Sequence, residues 1–277
     1  MLTTAPDSIE IISAPYPHVA LRSALKDYEQ LEAGFPAEDR FGPRIRMHGD
    51  LTHGDAEYER LIGESPAYRR LHDWVYSTDF LRGFVELFDE EIDRRVRTRE
   101  LMFDPRTLPM RPAPFEGRRM IGQGKQHRDD PFLFPRLDLG IGRLEYGKVN
   151  GGGGVHVDNL PRLVSILVYI DHNPDMVGGE HRLYRLERKK PVVDKVYAPE
   201  RNLMVASLQT NFALHDVNPV TAITGVRKAL YMAVSCSTEI WRPQRDARLG
   251  KLTKNRYRPG RVQRWIDKAA RALQPGA

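Results

Sequence analysis

The sequence predicts a mainly β protein with added helices, in which a β-sandwich or jelly roll is buttressed by helices that precede it. Two observations carry this. From about Arg136 to residue 240, short apolar runs rich in β-branched residues (RLDLGI, SILVYI, LMVASL, KALYMAVS) are separated by Gly, Pro, Asn and Asp, which is the grammar of strands and turns. The first hundred residues instead repeat apolar positions at three- and four-residue spacing, and a helical half followed by a strand-rich half suits helices laid on a sheet.

Taken in order, LRSALKDYEQLEAGFP places Leu21, Ala24, Leu25, Tyr28 and Leu31 on one helical face, with Gly34 and Pro36 as the stop. In SPAYRRLHDWVY, Ser65 reads as an N-cap with Pro66 at the first helical position. A third helix is expected from about Asp79 to Arg95, with Phe80, Phe84, Phe88 and Ile92 at four-residue steps. Residues 101–135, rich in Pro, Gly, Arg and His, read as a long loop, and loops of that length in compact domains are often functional lids. The strands of 136–240 follow. Residues 241–277 form a basic extension in which Val262, Trp265, Ile266, Ala269 and Leu273 outline a short amphipathic helix. The whole, 1–277, is expected to be one domain.

Composition narrows the function. Cys236 is the only cysteine, so an intrachain disulfide and a thiolate metal cluster are excluded, and a reducing cytoplasm is expected. No leader is expected at the N-terminus, and the apolar stretch around Ile166 to Ile170 is far too short to span a bilayer. The net charge of +6 is uneven: from Trp241 to Ala277 eleven Lys and Arg face only Asp246 and Asp267. Such a run could attract a polyanion, but Trp265 lies on the apolar stripe of the expected helix, so docking on the body is expected and nucleic acid is not an expected partner.

Four glycines introduce the chemistry. In GGGGVHVDN, His156 and Asp158 stand two residues apart, so on extended backbone both point to one side. The four glycines lack the Lys-Ser/Thr of a phosphate loop and read as a flexible rim beside His156. Further along, QTNFALHDVNPV places His215 after an apolar strand, and Arg227 opens the next strand. Two histidines and a carboxylate form the facial triad that suits non-haem Fe(II), and they also suit zinc. A guanidinium in the same barrel suits a dicarboxylic co-substrate. His172, in the turn HNPD, and His181, after GGE, are expected at the surface; His72 is expected packed or at the surface, and Tyr16 and His18 in PYPH to fix an entry loop.

In the order Tyr146, HVD, SILVYI, GGEHRLY, LMVASL, His215 with DVNPV and Arg227, residues 136–240 resemble the prolyl-4-hydroxylase-like branch of the Fe(II)/2-oxoglutarate-dependent oxygenases. The resemblance implies a double-stranded β-helix (jelly-roll) core. It also implies Fe(II) held by His156, Asp158 and His215, with 2-oxoglutarate and O₂ as co-substrates. Arg227 and Tyr169 would meet the distal carboxylate of 2-oxoglutarate, and Tyr146 would line its pocket. Where many relatives place Ser or Thr two residues after the arginine, this chain has Ala229, which hands the second hydrogen bond to Tyr169. The presence of Asp158 disfavours the halogenating relatives.

The implied reaction is hydroxylation of an unactivated C–H bond of a small or amino-acid-derived substrate, with release of succinate and CO₂. An anionic substrate is expected because Arg106, Arg111, Arg118, Arg119, Lys125 and Arg128 make the lid loop basic. A peptide side-chain hydroxylase of the same family, a zinc hydrolase on the same ligands, and a non-catalytic jelly-roll protein with a nucleic-acid-docking tail are the alternatives. The sequence does not fix the oligomeric state.

Overall fold

The computed structural model describes residues 1–4, 8–41, 48–115, 130–144, 154–188 and 190–243. The chain is mostly β with some helices, and among the described residues the paired strands run antiparallel. The strands are β1 (His18–Leu21), β2 (His48–Thr52), β3 (Leu133–Gly142), β4 (Arg162–Tyr169), β5 (His181–Glu187), β6 (Lys190–Tyr197), β7 (Met204–Leu208), β8 (Leu214–Val217) and β9 (Arg227–Cys236). They form a six-stranded sheet in the order β1-β7-β4-β9-β3-β2 and a three-stranded sheet in the order β6-β5-β8.

The larger sheet has two unlike faces because side chains alternate along a strand. Leu137, Leu139, Ile141, Val164, Ile166, Val168, Met204, Ala206, Leu230, Met232 and Val234 lie in one core with the helices α1 (Tyr28–Ala33), α2 (Ala56–Glu64), α3 (Pro66–Val75), α4 (Thr78–Leu87) and α5 (Asp89–Arg97). The opposite face carries Arg136, Asp138, Ser165, Tyr169, Ser207, Arg227 and Tyr231, a mixture tolerated because the smaller sheet and the functional site occupy that side. Tyr197 of β6 packs against Leu167, Tyr169 and Val205 there, and its hydroxyl hydrogen-bonds His18 Nε2 at 2.7 Å.

Several local expectations are corrected. The helix expected from Leu21 is confined to Tyr28–Ala33: Leu21 ends β1 and pairs with Met204, while Asp27 sits in the left-handed region at φ 57°. His18 is therefore a buried strand residue rather than part of an entry loop. The helix expected over Asp79–Arg95 is two, α4 and α5, joined at Phe88, whose backbone (φ −108°, ψ 21°) leaves the helical region. Ala56–Glu64 is a further helix, and the β5–β6 hairpin and β2 are further strands. Strand β3 begins at Leu133, inside the stretch read as a loop. Residues 116–129 of that loop, and the basic extension with its expected helix beyond residue 243, lie outside the described residues. Among the described residues, no helix is long and apolar enough to cross a membrane.

The Ser65 cap is present, with its hydroxyl accepting from Tyr68 N. Ser77 does more. Its hydroxyl donates to Trp74 O at 2.6 Å and accepts from Phe80 N at 3.1 Å, joining the end of α3 to the start of α4. Ser77→Ala should therefore cost about 1 kcal/mol of folding stability, as loss of an N-cap does. The check is the shift of the urea midpoint at unchanged slope.

Candidate metal centre

His156 enters the site through an isolated antiparallel bridge to His215. The two residues exchange both backbone hydrogen bonds, His156 N to His215 O at 3.0 Å and His215 N to His156 O at 2.9 Å. Residues paired this way face the same side, and their imidazole centroids lie 4.5 Å apart. Each ring is oriented a second time: His156 Nδ1 lies 2.6 Å from Gly154 O, and His215 Nδ1 lies 2.9 Å from Ala213 O. A carbonyl accepts, so Nδ1 carries the proton and Nε2 keeps its lone pair for a ligand.

Asp158, two residues after His156, completes the group. One ligand atom each from His156, Asp158 and His215 fits within 4.8 Å of the others. Asp158 Oδ1 lies 3.9 Å from His215 Nε2, and their side chains are 23% and 12% exposed, so the site is open to a small ligand. Ser165 of β4 donates its hydroxyl to Asp158 Oδ2, which turns Oδ1 toward the histidines. Burial would push the Asp158 carboxyl up, but Arg162, His215, the Ser165 hydrogen bond and His156 together hold it well below the ordinary carboxylate range. Burial and His156 push His215 down to about 4. Two imidazoles that each turn Nε2 to the site and one carboxylate are a donor set for a divalent cation of borderline softness.

Arg227, the first residue of β9, is 1% exposed on the same face of the sheet. Its Nη1 donates to the Tyr231 hydroxyl at 3.0 Å, and its guanidinium carbon lies 4.8 Å from the centre of the Tyr169 ring. Tyr169 is fully buried; burial raises its pKa, against the pull of Arg227. Tyr146 lies outside the described residues.

Two residues of this site escaped sequence reasoning. His181, expected at the surface, lies beside the triad: its ring centroid is 5.5 Å from that of His215, and its Nδ1 is buried without a partner. Burial, with His215 and Arg227 adding to it, pushes its pKa well down, so the ring is neutral. The turn read from GGE is real, with Gly178 and Gly179 at φ 91° and 82°, but it delivers His181 into β5 on the same face as Leu183, the partner of His215. Tyr231 is the other. It stands four residues after Arg227, on the same face of the strand, and its hydroxyl accepts a hydrogen bond from the Arg227 guanidinium. Elsewhere, His172 is exposed as expected, and His72 hydrogen-bonds Tyr58 at 2.9 Å. Of the basic residues in the lid loop, Arg106 is bound to Asp104, Asp89 and Asp93, and Arg111 to Asp130 over the Phe132 ring, so neither lies in the site.

No family model matches the sequence, and no curated protein matches it. Solved structures give a low-level likeness. A prolyl-4-hydroxylase from Pseudomonas putida is 16% identical with TM-score 0.42, over 85% of this chain and 98% of that one. A 2OG-Fe(II) oxygenase family oxidoreductase from Burkholderia pseudomallei is 15% identical with TM-score 0.40, over 81% and 87%. A prolyl 4-hydroxylase from Phytophthora capsici is 18% identical with TM-score 0.40 over 79% of this chain, which spans 58% of that protein. Identities and TM-scores this low transfer no chemistry, and the site's own geometry decides what it can do.

Two outcomes follow from that geometry. Ser165→Ala frees Asp158 Oδ2 and should weaken divalent metal binding roughly 10- to 100-fold, as loss of an oriented outer hydrogen bond does, read by calorimetric titration with Mn(II). Below the unfolded histidine value of 6.5, the unfolded chain binds protons that the folded His215 and His181 refuse. Stability of the metal-free protein should therefore fall as pH drops from 6.5 towards about 4. Urea midpoints across that window check the sign, and His181→Leu should flatten the slope.

Proposed function

We propose that the protein is an Fe(II)- and 2-oxoglutarate-dependent oxygenase of the prolyl-4-hydroxylase-like type, built on a jelly-roll core, that hydroxylates a C–H bond of a small or amino-acid-derived substrate. The observation that carries the reading is the His156, Asp158 and His215 donor group, held at β8 of the smaller sheet, together with the buried Arg227 that opens β9 of the larger sheet. A zinc hydrolase would use the three ligands but has no task for a deeply buried guanidinium between two tyrosines.

In this reading His156, Asp158 and His215 would hold the iron. When bound, iron with 2-oxoglutarate supplies the oxidising power to turn C–H into C–OH, with O₂ consumed and succinate and CO₂ released. The chain's own part is placement. Arg227 receives the far carboxylate of 2-oxoglutarate, because a guanidinium meets a carboxylate with two parallel hydrogen bonds. Tyr231 and Tyr169 fix the direction of that guanidinium. His181, neutral and beside His215, adds an uncharged wall to the metal site.

Anaerobic addition of 2-oxoglutarate to the Fe(II)-loaded protein should produce a weak visible charge-transfer band. Arg227→Gln should raise the 2-oxoglutarate needed for that band roughly 30- to several thousand-fold, because truncating one partner of a buried charged hydrogen bond costs about 2–5 kcal/mol. Fe(II) affinity should stay within a few fold. A band at unchanged 2-oxoglutarate concentration would remove Arg227 from the anchor, and absence of the band in the wild-type protein would remove the reading.

A further inference from the structure

One row beyond the metal ligands, the interior face of the larger sheet carries polar groups that neither iron nor 2-oxoglutarate uses. In register, Arg162 of β4 pairs with Ser235 of β9, and Ser235 pairs with Phe134 of β3. Gln209 extends the row on the other side, its backbone N donating to Leu163 O at 2.8 Å just after β7. Alternation fixes the direction: Leu208 and Cys236 belong to the helix-facing core, so Gln209 and Ser235 point to the opposite face, that of Ser165 and Asp158.

These groups are buried and waiting. Gln209 is 1% exposed with both Oε1 and Nε2 lacking a partner, and Ser235 is fully buried with its hydroxyl unpartnered. Buried polar atoms in folded proteins are almost always paired, so orphans on the two strands that flank Arg162 of β4 mark a place where a ligand completes the hydrogen bonds. Arg162 supplies charge. It acts electrostatically on Asp158 and on Asp138, but Asp138 is already bonded to Arg136, Oδ2 to Nε at 2.6 Å. Arg162 thus brings a cation to the row, and its need for an anion grows when Asp158 shares its charge with a metal. Phe134, stacked on Phe115 at 4.7 Å, gives the lane an apolar wall.

We propose that Arg162, Gln209 and Ser235 form the recognition subsite for a free α-amino acid, which is the substrate. The inference rests on the oxygenase reading and names its substrate class. The carboxylate of the amino acid meets the Arg162 guanidinium with two hydrogen bonds. Its ammonium group donates to Gln209 Oε1 and Ser235 Oγ, and the Gln209 amide donates back to the carboxylate. Asp138, whose Oδ1 is buried without a partner, adds negative potential for the ammonium. The side chain lies along Phe134, with the carbon to be hydroxylated toward Asp158 and the metal.

The test uses saturation-transfer NMR on the metal-free full chain with the proteinogenic L-amino acids. The methyl ester and the N-acetyl amide of each binder are then compared. At least one free amino acid should bind, its ester and its N-acetyl amide about tenfold or more weakly, in line with loss of a charged hydrogen bond. Arg162→Gln should abolish the signal, and Gln209→Leu, which keeps the volume and the charge, should weaken it if Arg162→Gln fails to fold. With Mn(II) in the metal site, side-chain protons of the bound amino acid should show enhanced relaxation. Equal or tighter binding of the ester or the N-acetyl amide overturns the proposal in favour of a peptide or a neutral molecule. So does the absence of any amino-acid binder in protein that binds Mn(II) and 2-oxoglutarate. Arg162-dependent binding of an amino acid by protein that fails to bind Mn(II) leaves the subsite standing and overturns the iron reading instead.

Discussion

The reciprocal pair of backbone hydrogen bonds between His156 and His215 is the constraint on which the candidate site depends. Histidine side chains are long enough to point many ways, and holding two of them on one point in space costs entropy that an ion would otherwise have to repay. Here the backbone has repaid it in advance. The bridge fixes both Cα positions, the Nδ1 bonds to Gly154 and Ala213 fix both rings, and Asp158 follows because residues i and i+2 share a face. The other end of the pair is secured within the smaller sheet. Arg182 grips Asp216, the neighbour of His215, through Nε at 2.8 Å and Nη2 at 2.6 Å, and Tyr184 donates to the same carboxylate at 2.9 Å. Strand β8 is only four residues long, and this clasp to β5 gives it an anchor that its own ladder is too short to provide.

The larger sheet serves two masters through its alternation. One face is continuous with the helical core, and the burial of those side chains is what folds the chain. The other is given over to charge and hydroxyls, which do not contribute in that way and which leave several buried atoms unpaired. Tight packing holds that polar face in shape. A Cβ on Gly140 would lie 2.3 Å from the Tyr231 ring, so the glycine exists to let the ring lie flat on β3 and keep its hydroxyl at Arg227. Gly178 is closed in as well: a Cβ there would meet Pro219 O at 2.0 Å, and its positive φ also forbids a branched residue. Both glycines belong to the apparatus that presents the site residues rather than to loops that merely bend.

What could be read in the sequence follows the same physics. The strands β4, β7 and β9 were legible because both their faces are buried, which writes a dense apolar run. The β5–β6 hairpin was not, because β6 alternates between half-buried and exposed residues and contains Lys190, Pro191, Asp194 and Lys195, so it carries no apolar run. Strand β1 was hidden in a helical pattern: Leu21, Ala24 and Leu25 are apolar at helical spacing, but Leu21 is half-buried by strand pairing and Ala24 and Leu25 are buried at the turn around Asp27. Phe80, Phe84, Phe88 and Ile92 do share one core, and the periodicity is correct although the helix breaks at Phe88. At the site, His156, Asp158, His215 and Arg227 stood out by residue type and order. His181 and Tyr231 were available to an argument from alternation, through Leu183 and Ala229 respectively, but that argument needs the strand boundaries that the glycine pair obscures.

The electrostatics of the group are prepared before any ion arrives. A cation must ordinarily displace protons from its ligands, and the affinity it shows is reduced by that competition. Burial keeps His215 and His181 neutral, and the charges and hydrogen bonds around Asp158 keep it ionised in spite of burial. These shifts run in opposite directions for the two residue types, yet both favour the deprotonated form. Arg162 and the Ser165 hydroxyl are among the groups that hold the Asp158 charge in place, so the carboxylate is ionised without a metal. A divalent cation that binds the assembled group and not the unfolded chain stabilises the fold, so binding a metal and stabilising the fold are linked at this site.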